Sequence, residues 1–599
     1  PIFASVGREG TRQAEESLLR WSKSTALNPE AEQPYMEYLK AHWESTYFPQ
    51  QSRYLTFQKF WDAILHDGLF ELPAESQEIS GLTFDIAAAV SRIAKPSDNE
   101  LEITFYETGN MGGGEYANNP WLQEMSDPIT RCAWGNYLAI PVMWDGGNSW
   151  SAMNGLNEWE FKGKADQVML SVDGAEQKVT CVRQFGQPMG TTAIALGYGR
   201  TVTGRMGRAL GDEVGTNVFE WLKTDQDGNV QYHSTAAGIS EVVSVEEEFA
   251  CVQYHHTMGV TAQEDGEVIL DEATGKPLNV DEKTVMTLGE GFQGGLTNRS
   301  IIYQGNLDEL SDLEEHIAHK RAEAAHLNEN TIYPFDEYTE NVYKQGHHWV
   351  MHIDLNSCTG CGACQISCIA ENNIPVVGKR EVHRHHEMLW LRIDRYYYGD
   401  YENPKAVYQP MMCQHCDNAP CENVCPVGAT NHSGEGVNQM TYNRCIGTRY
   451  CANNCPYKVR RFNWLDYTTA DLFAANEPTL NGEDLPFYAD NLTRMVLNPD
   501  VTVRSRGVIE KCSFCVQRIQ EGKLTAKREN RRMTDADVRP ACQTACSTGA
   551  IIFGDRNNPS EELAERLENP LNYLVLEEIN VQSSVFYAAK VSNSLEELE

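Results

Sequence analysis

At 599 residues, with 41% hydrophobic and 22% charged side chains, the chain is long enough for several domains with cores of their own, and three to five structural units are expected. Its 85 acidic against 49 basic residues leave a net charge of -36, which argues against a nucleic-acid partner, whose phosphates such a surface would repel. No apolar run approaches the roughly 18 residues of a membrane helix; residues 138–144 are short and contain proline, so this chain is not expected to cross a membrane.

Position one is proline, and residues 1–10 lack a charged start followed by an apolar stretch, so a processed or incomplete chain with no visible secretory signal is expected. Residues 1–100 read as a helical segment, because 14–26 and 34–46 place Leu, Trp and Tyr at three- and four-residue intervals between charges. Trp43, Phe57, Phe60 and Trp61 are core aromatics on this reading.

From Leu101 the pattern changes to short alternating segments, 101–106, 167–172, 178–183 and 191–196, which read as strands of a β-rich domain over 101–306. Two glycine-rich turns, 109–114 and 197–200, lie between them, where tight turns or close backbone approach call for glycine. Asp225-Gln226-Asp227-Gly228 looks like the start of a calcium loop, but Ala236 stands where the bidentate Glu belongs, so a turn is expected. His255-His256 and the group His383, His385, His386 offer no convincing ligand set. Cys132, Cys181 and Cys251 are isolated in sequence and read as small buried hydrophobes. Residues 307–345 form a linker on this reading, with an exposed helix in 307–329.

Fifteen of the eighteen cysteines fall between Cys358 and Cys546, in four groups. The first, Cys358, Cys361, Cys364 and Cys368, has the C-x2-C-x2-C-x3-C spacing of bacterial ferredoxins, in which three thiolates hold one iron-sulfur cluster and the fourth crosses to another. The second is Cys413, Cys416, Cys421 and Cys425. The third keeps the register of the first but reads Cys445, Thr448, Cys451, Cys455, with a hydroxyl in place of the second thiolate. The fourth is split into Cys512, Cys515 and Cys542, Cys546. Structural zinc also takes paired cysteines, yet it explains neither these runs nor Pro426 and Pro456 directly after the fourth cysteines; Ile369 and Ser547 depart from that proline. Four groups predict four clusters and an electron carrier without a hydrolytic or nucleophilic site. A strand through His352–Leu355 leads into the first group, residues 469–506 read as an acidic insertion around Asn481-Gly482, and 556–599 as a tail with a helix at 560–567 and an aromatic end able to wrap a neighbour.

The segments Gly346-His347-His348-Trp349, Asp354-Leu355-Asn356-Ser357-Cys358-Thr359-Gly360-Cys361, residues 370–379, 413–421 and Cys445-Ile446-Gly447-Thr448-Arg449-Tyr450-Cys451 resemble the iron-sulfur subunit of bacterial alternative complex III. Residues 118–124 and 197–201 resemble that family's front region, a relative of molybdopterin oxidoreductases without the cofactor. The resemblance implies an α+β multidomain chain: a helical N-terminal segment, a β-barrel-rich molybdopterin-oxidoreductase-like domain, and a polyferredoxin of two two-cluster modules over 346–555. It implies nested pairing, with [4Fe-4S] clusters on Cys358, Cys361, Cys364, Cys546, on Cys368, Cys512, Cys515, Cys542, and on Cys413, Cys416, Cys421, Cys455. Cys425, Cys445 and Cys451 would hold a [3Fe-4S] cluster, with Thr448 at the missing ligand. The expected setting is the periplasmic face of the inner membrane. The expected partners are a polysulfide-reductase-type membrane subunit that oxidises menaquinol, multihaem and monohaem cytochrome c subunits and other subunits of the complex. Molybdenum is not expected. The rival expectation is the electron-transfer subunit of a dimethyl sulfoxide or polysulfide reductase.

Overall fold

The computed structural model describes residues 14–71, 85–91, 101–141, 164–201, 214–253 except 227, 257–259, 285–287, 301–328, 341–399, 404–464, 479–480, 483–484 and 495–593. Asp227, His255, His256, Asn481 and Gly482 lie outside them. The chain divides into two compact units, Pro1–Ala94 and Lys95–Glu599.

The first unit is helical over Ala14–Trp21, Pro34–Thr46, Phe57–Asp67 and Ile86–Ser91. The helix expected over 14–26 stops at Trp21 because the chain turns left-handed at Lys23, φ 55°. Gly68 ends the third helix in the same conformation, φ 76°, where glycine carries no Cβ penalty. Its core is aromatic: Phe60 and Trp61 are buried, and Phe60 meets Phe70 edge-on at 5.0 Å.

The second unit begins with a closed six-stranded barrel in the order Leu101–Tyr106, Thr191–Ala195, Leu138–Pro141, Ala175–Gln184, Ala165–Val172, His233–Glu246, the last returning to the first. The first pair is parallel, as is Leu138–Pro141 with Ala175–Gln184; the remaining neighbours are antiparallel. Ile103, Phe105, Leu138, Ile140, Leu170, Val172 and Cys181 fill the interior, as alternation with a period of two requires. The 109–114 and 197–200 turns serve backbone approach: a Cβ on Gly197, φ 90°, would stand 2.9 Å from the Gly114 nitrogen. Around Asp225 the chain turns as expected, with the Asn229 N–H donating to the Asp225 side chain at 2.8 Å.

The helix expected as an exposed linker spans Leu310–Asn328 and packs instead, burying Leu313 and Ile317 in the core and sending Arg321 to the Asn572 carbonyl at 2.5 Å. Beyond it, a four-stranded sheet has the order Ile551–Asp555, Trp349–Asp354, Val585–Ala588, Asn572–Tyr573. The aromatic tail therefore completes the sheet of its own chain: Phe586 and Tyr587 pair with His352 and Ile353, and Tyr587 is fully buried. The tail helix forms over Glu561–Leu567, with the Ser560 hydroxyl accepting from Leu563 N–H at its start.

Candidate metal centres

The sheet strand Trp349–Asp354 delivers Cys358 to a tight turn, and helix Ala363–Glu371 carries Cys364 and Cys368 one turn apart on its buried face. Gly362 opens that helix at φ 79°, and Met125 of the barrel region lies where a Cβ would go. Short helices Pro420–Asn423 and Tyr450–Asn453 carry Cys421 and Cys451, and they pack on each other. Cys515 starts helix Val516–Arg528, and helix Ala541–Ala545, bearing Cys542, packs on Ala363–Glu371.

Packing thus joins the first group to the fourth and the second to the third. Burial, and then the charges of Cys358, Cys361 and Cys546, push the Cys364 thiol up. Burial does the same to Cys368, followed by Cys512, Cys515 and Cys542. Cys416 is raised by burial and then by Cys413, Cys455 and Cys421. Cys451, raised mainly by burial, has Cys445 and Cys425 as its thiol neighbours. These four sets follow one another: Cys542 feels Cys364, Cys512 feels Cys413, and Arg460 lies against thiols of both inner sets.

The ends of this series are the open parts. Cys361 is exposed at one end, Cys425 and Cys445 are half-buried at the other, and seven of the eight cysteines of the two middle sets are buried. Around Cys425, Cys445, Thr448 and Cys451 lies a small cavity walled by Met440 and Ile509. Burial raises the Cys425 thiol, but the backbone N–H groups of Val427, Ala429, Thr430 and Gly428 outweigh it and bring the thiol below its ordinary value.

The donor chemistry fits iron-sulfur clusters. Metal-bound thiolates are hydrogen-bond acceptors, and N–H groups point at the sulfurs: Ala429 to Cys425 at 3.2 Å, Phe514 to Cys512 at 3.4 Å and Ala541 to Cys515 at 3.5 Å. The Asn372 amide donates to Cys368 at 3.5 Å and to Cys515 at 3.8 Å.

Several residues of the site carry no ligand spacing and escape sequence reasoning. Arg460 is buried, donating to Thr430 Oγ1 and Asn438 Oδ1, each at 2.9 Å. Burial depresses its guanidinium, but Cys421, Cys413, Cys451 and Cys455 more than offset this and hold it charged. Lys511, equally buried, donates to the Asn438 carbonyl and to that of Cys512. Burial, then Lys511, His432 and Arg460, keep His415 neutral; it accepts from Asn438 N–H at 3.1 Å and stacks on Phe514 at 3.7 Å. The histidines near 385 make packing contacts: His383 bonds the Phe249 carbonyl at 3.3 Å, and His386 bonds Glu381 at 2.7 Å and stacks on Trp464.

The barrel is joined to this field by Glu124, a buried carboxylate. It accepts from Val377 N–H at 3.0 Å, Gly378 N–H at 2.9 Å and Trp134 Nε1–H at 3.2 Å. Burial raises its carboxyl to about 7 against these three bonds.

Two family models, both described as a 4Fe-4S dicluster domain, match residues 357–429 and 404–471. The chain is 36% identical over 247 residues to the iron-sulfur cluster-binding subunit of menaquinone reductase from Nitratidesulfovibrio vulgaris, covering 40% of this chain and 89% of that protein. The chain belongs to the iron-sulfur electron-transfer subunits of oxidoreductase complexes. Other members of this family include the Hdr-like menaquinol oxidoreductase iron-sulfur subunit 1 of Archaeoglobus fulgidus, 30% identical over 42% of this chain and 87% of that one. A selenate reductase subunit of Mesobacillus selenatarsenatis is 30% identical over 40% of this chain and 71% of its own length. Among the described residues no helix is long and apolar enough to cross a membrane.

Proposed function

We propose that this chain is the electron-conducting subunit of a membrane-bound, quinol-oxidising respiratory complex of the alternative complex III type. In this reading it holds three [4Fe-4S] clusters and one [3Fe-4S] cluster and no molybdopterin. The cubane ligands are Cys358, Cys361, Cys364, Cys546; Cys368, Cys512, Cys515, Cys542; and Cys413, Cys416, Cys421, Cys455. Cys425, Cys445 and Cys451 hold the three-iron centre. When bound, such clusters carry single electrons at potentials set by charge, hydrogen bonds to sulfur and exposure.

The observation that carries the reading is the half-open end of the series, where Thr448 stands in a cavity with three thiols. A hydroxyl there leaves a fourth iron without its thiolate, and the buried Arg460 cation beside Cys451 favours an added electron. Ile446 and Tyr450, large and exposed, flank this end and suit an apolar partner. That partner is the quinol-binding membrane subunit of polysulfide-reductase type, with cytochrome c subunits drawing electrons onward at the periplasmic face. Two relatives bear menaquinone or menaquinol in their names, which supports this substrate.

Electron paramagnetic resonance tests it. The oxidised protein is expected to give a three-iron signal, and Thr448→Cys is expected to convert the centre to a cubane, lower its potential and slow quinol oxidation. Iron content matching four cubanes with no three-iron signal defeats the assignment, and molybdenum at one per chain defeats the cofactor-free front region. The second reading is an electron carrier for a molybdopterin reductase, favoured by relatives named selenate reductase and dimethyl sulfoxide reductase. Co-purification decides between them, through cytochrome c on the first reading and a molybdopterin subunit on the second.

A further inference from the structure

Cys132 and Cys251 are far apart in sequence and read as isolated there, yet they face each other across an antiparallel bridge. The backbone around them fixes the kind of pair. Ala133 N–H donates to the Ala250 carbonyl and Val252 N–H to the Arg131 carbonyl, both at 3.0 Å, so the two cysteines form the non-hydrogen-bonded position between those bonds. Residues at such positions have Cα atoms about 4.5 Å apart and side chains directed at one another, inside the roughly 4.4–6.8 Å span of disulfides. Both residues are buried, and Tyr137, Ala139, Val182 and Phe249 close the space around them. No cluster ligand set uses either thiol.

We propose that Cys132 and Cys251 are joined by a disulfide in the mature protein. Two thiols lose two electrons and two protons to the disulfide of a thiol-disulfide oxidase, which leaves as a dithiol, so one S–S bond forms as another breaks. Because both residues are buried, the exchange proceeds through local opening of their single bridge, in an oxidising compartment; in this the proposal rests on the periplasmic placement proposed for the complex. The bond joins the segment entering strand Leu138–Pro141 to the segment leaving His233–Glu246. Two residues beyond Cys251, Gln253 binds both the N–H and the carbonyl of Arg395 at 2.7 and 2.8 Å. The crosslink therefore anchors the contact between the barrel and the hairpin Arg392–Gly399/Pro404–Met411.

The test is peptide mapping of the complex purified from membranes and alkylated under denaturing conditions before any reductant. Cys132 and Cys251 are expected in one linked species, lighter by two hydrogens than the separate peptides and released by reductant. Cys181, buried inside the barrel, is the internal control and is expected to be alkylated without reduction. Cys181→Ser is expected to leave the link intact, and Cys132→Ser to free Cys251 for alkylation. Alkylation of Cys132 and Cys251 to the extent of Cys181 in the unreduced wild type overturns the proposal. Protease treatment of spheroplasts, run alongside, tells whether the periplasmic placement fell with it.

Discussion

The two halves of the cysteine field obey similar spacing rules but sit in different surroundings. The inner half, from the second and third groups, is wrapped around buried cations: Arg460 lies against its thiols, and Lys511 is held on Asn438 beside it. In the outer half, from the first and fourth groups, the hydrogen bonds to sulfur come from neutral donors, the Asn372 amide and backbone N–H groups. Its own cation, Arg518 beside Cys515 and Cys542, is half-buried and neutralised by Glu371, Lys511 is shared with it through Cys512, and the barrel covers one side through Glu124 and Met125. Spacing selects the ligands in both, whereas charge near sulfur is what separates their electron affinity. The inner half is thus built to accept electrons more readily.

The strongest way to break this comparison is Arg460→Met. It removes a buried cation and leaves thiolate charge uncompensated, for which about 3–5 kcal/mol of stability is expected to be lost. Redox titration is expected to show lower potentials for the inner centres and none of this fall in the set holding Cys358. An equal fall in all centres would remove the distinction between the halves.

Next comes Glu124, which tests whether the outer half depends on the barrel. Its carboxyl is raised from an ordinary 4.5 to about 7 in the fold, so the folded chain holds a proton that the unfolded chain releases above 4.5. The stabilisation is full below pH 4.5 and is lost as pH rises through 7, a difference of ~3 kcal/mol at 1.36 kcal/mol per unit. Glu124→Gln is expected to lack that slope, which then appears as the difference between wild-type and variant melting curves over pH 5–8. A slope unchanged by the substitution would show that Glu124 does not couple the two regions.

What the sequence made legible follows from how local each feature is. Ligand spacing lies within a few residues, so all four cysteine groups stood out, and the Thr448 substitution with them. Arg460, Lys511 and Asn372 gain their roles from burial beside chain segments distant in sequence, and an arginine or asparagine in isolation carries no such mark. In the barrel, alternation exposed four strands, but Leu138–Pro141 is buried at every position and has no alternation to read. His233–Glu246 mixes exposed and half-buried residues and gives no clean period either. The aromatic tail read as able to wrap a neighbour because its partner strand in its own chain, Trp349–Asp354, lies more than two hundred positions earlier.

The smallest effect probes the outer half by itself. The Asn372 amide donates to sulfurs of two groups, Cys368 and Cys515, and also to the Cys368 carbonyl at 3.1 Å. Asn372→Leu keeps the volume and removes the donors, leaving the buried carbonyl to its helix bond from Asn372 N–H at 3.0 Å. A loss of about 1–2 kcal/mol is expected in thermal melts. Because N–H groups stabilise added negative charge on sulfur, the set containing Cys368 and Cys515 is expected to fall in potential while the inner centres stay unchanged. A variant that shifts the inner centres instead would mean that the buried amide acts through the shared packing of Asn372 with Arg504, whose guanidinium donates to the Asn372 carbonyl at 2.7 Å and pairs with Glu510.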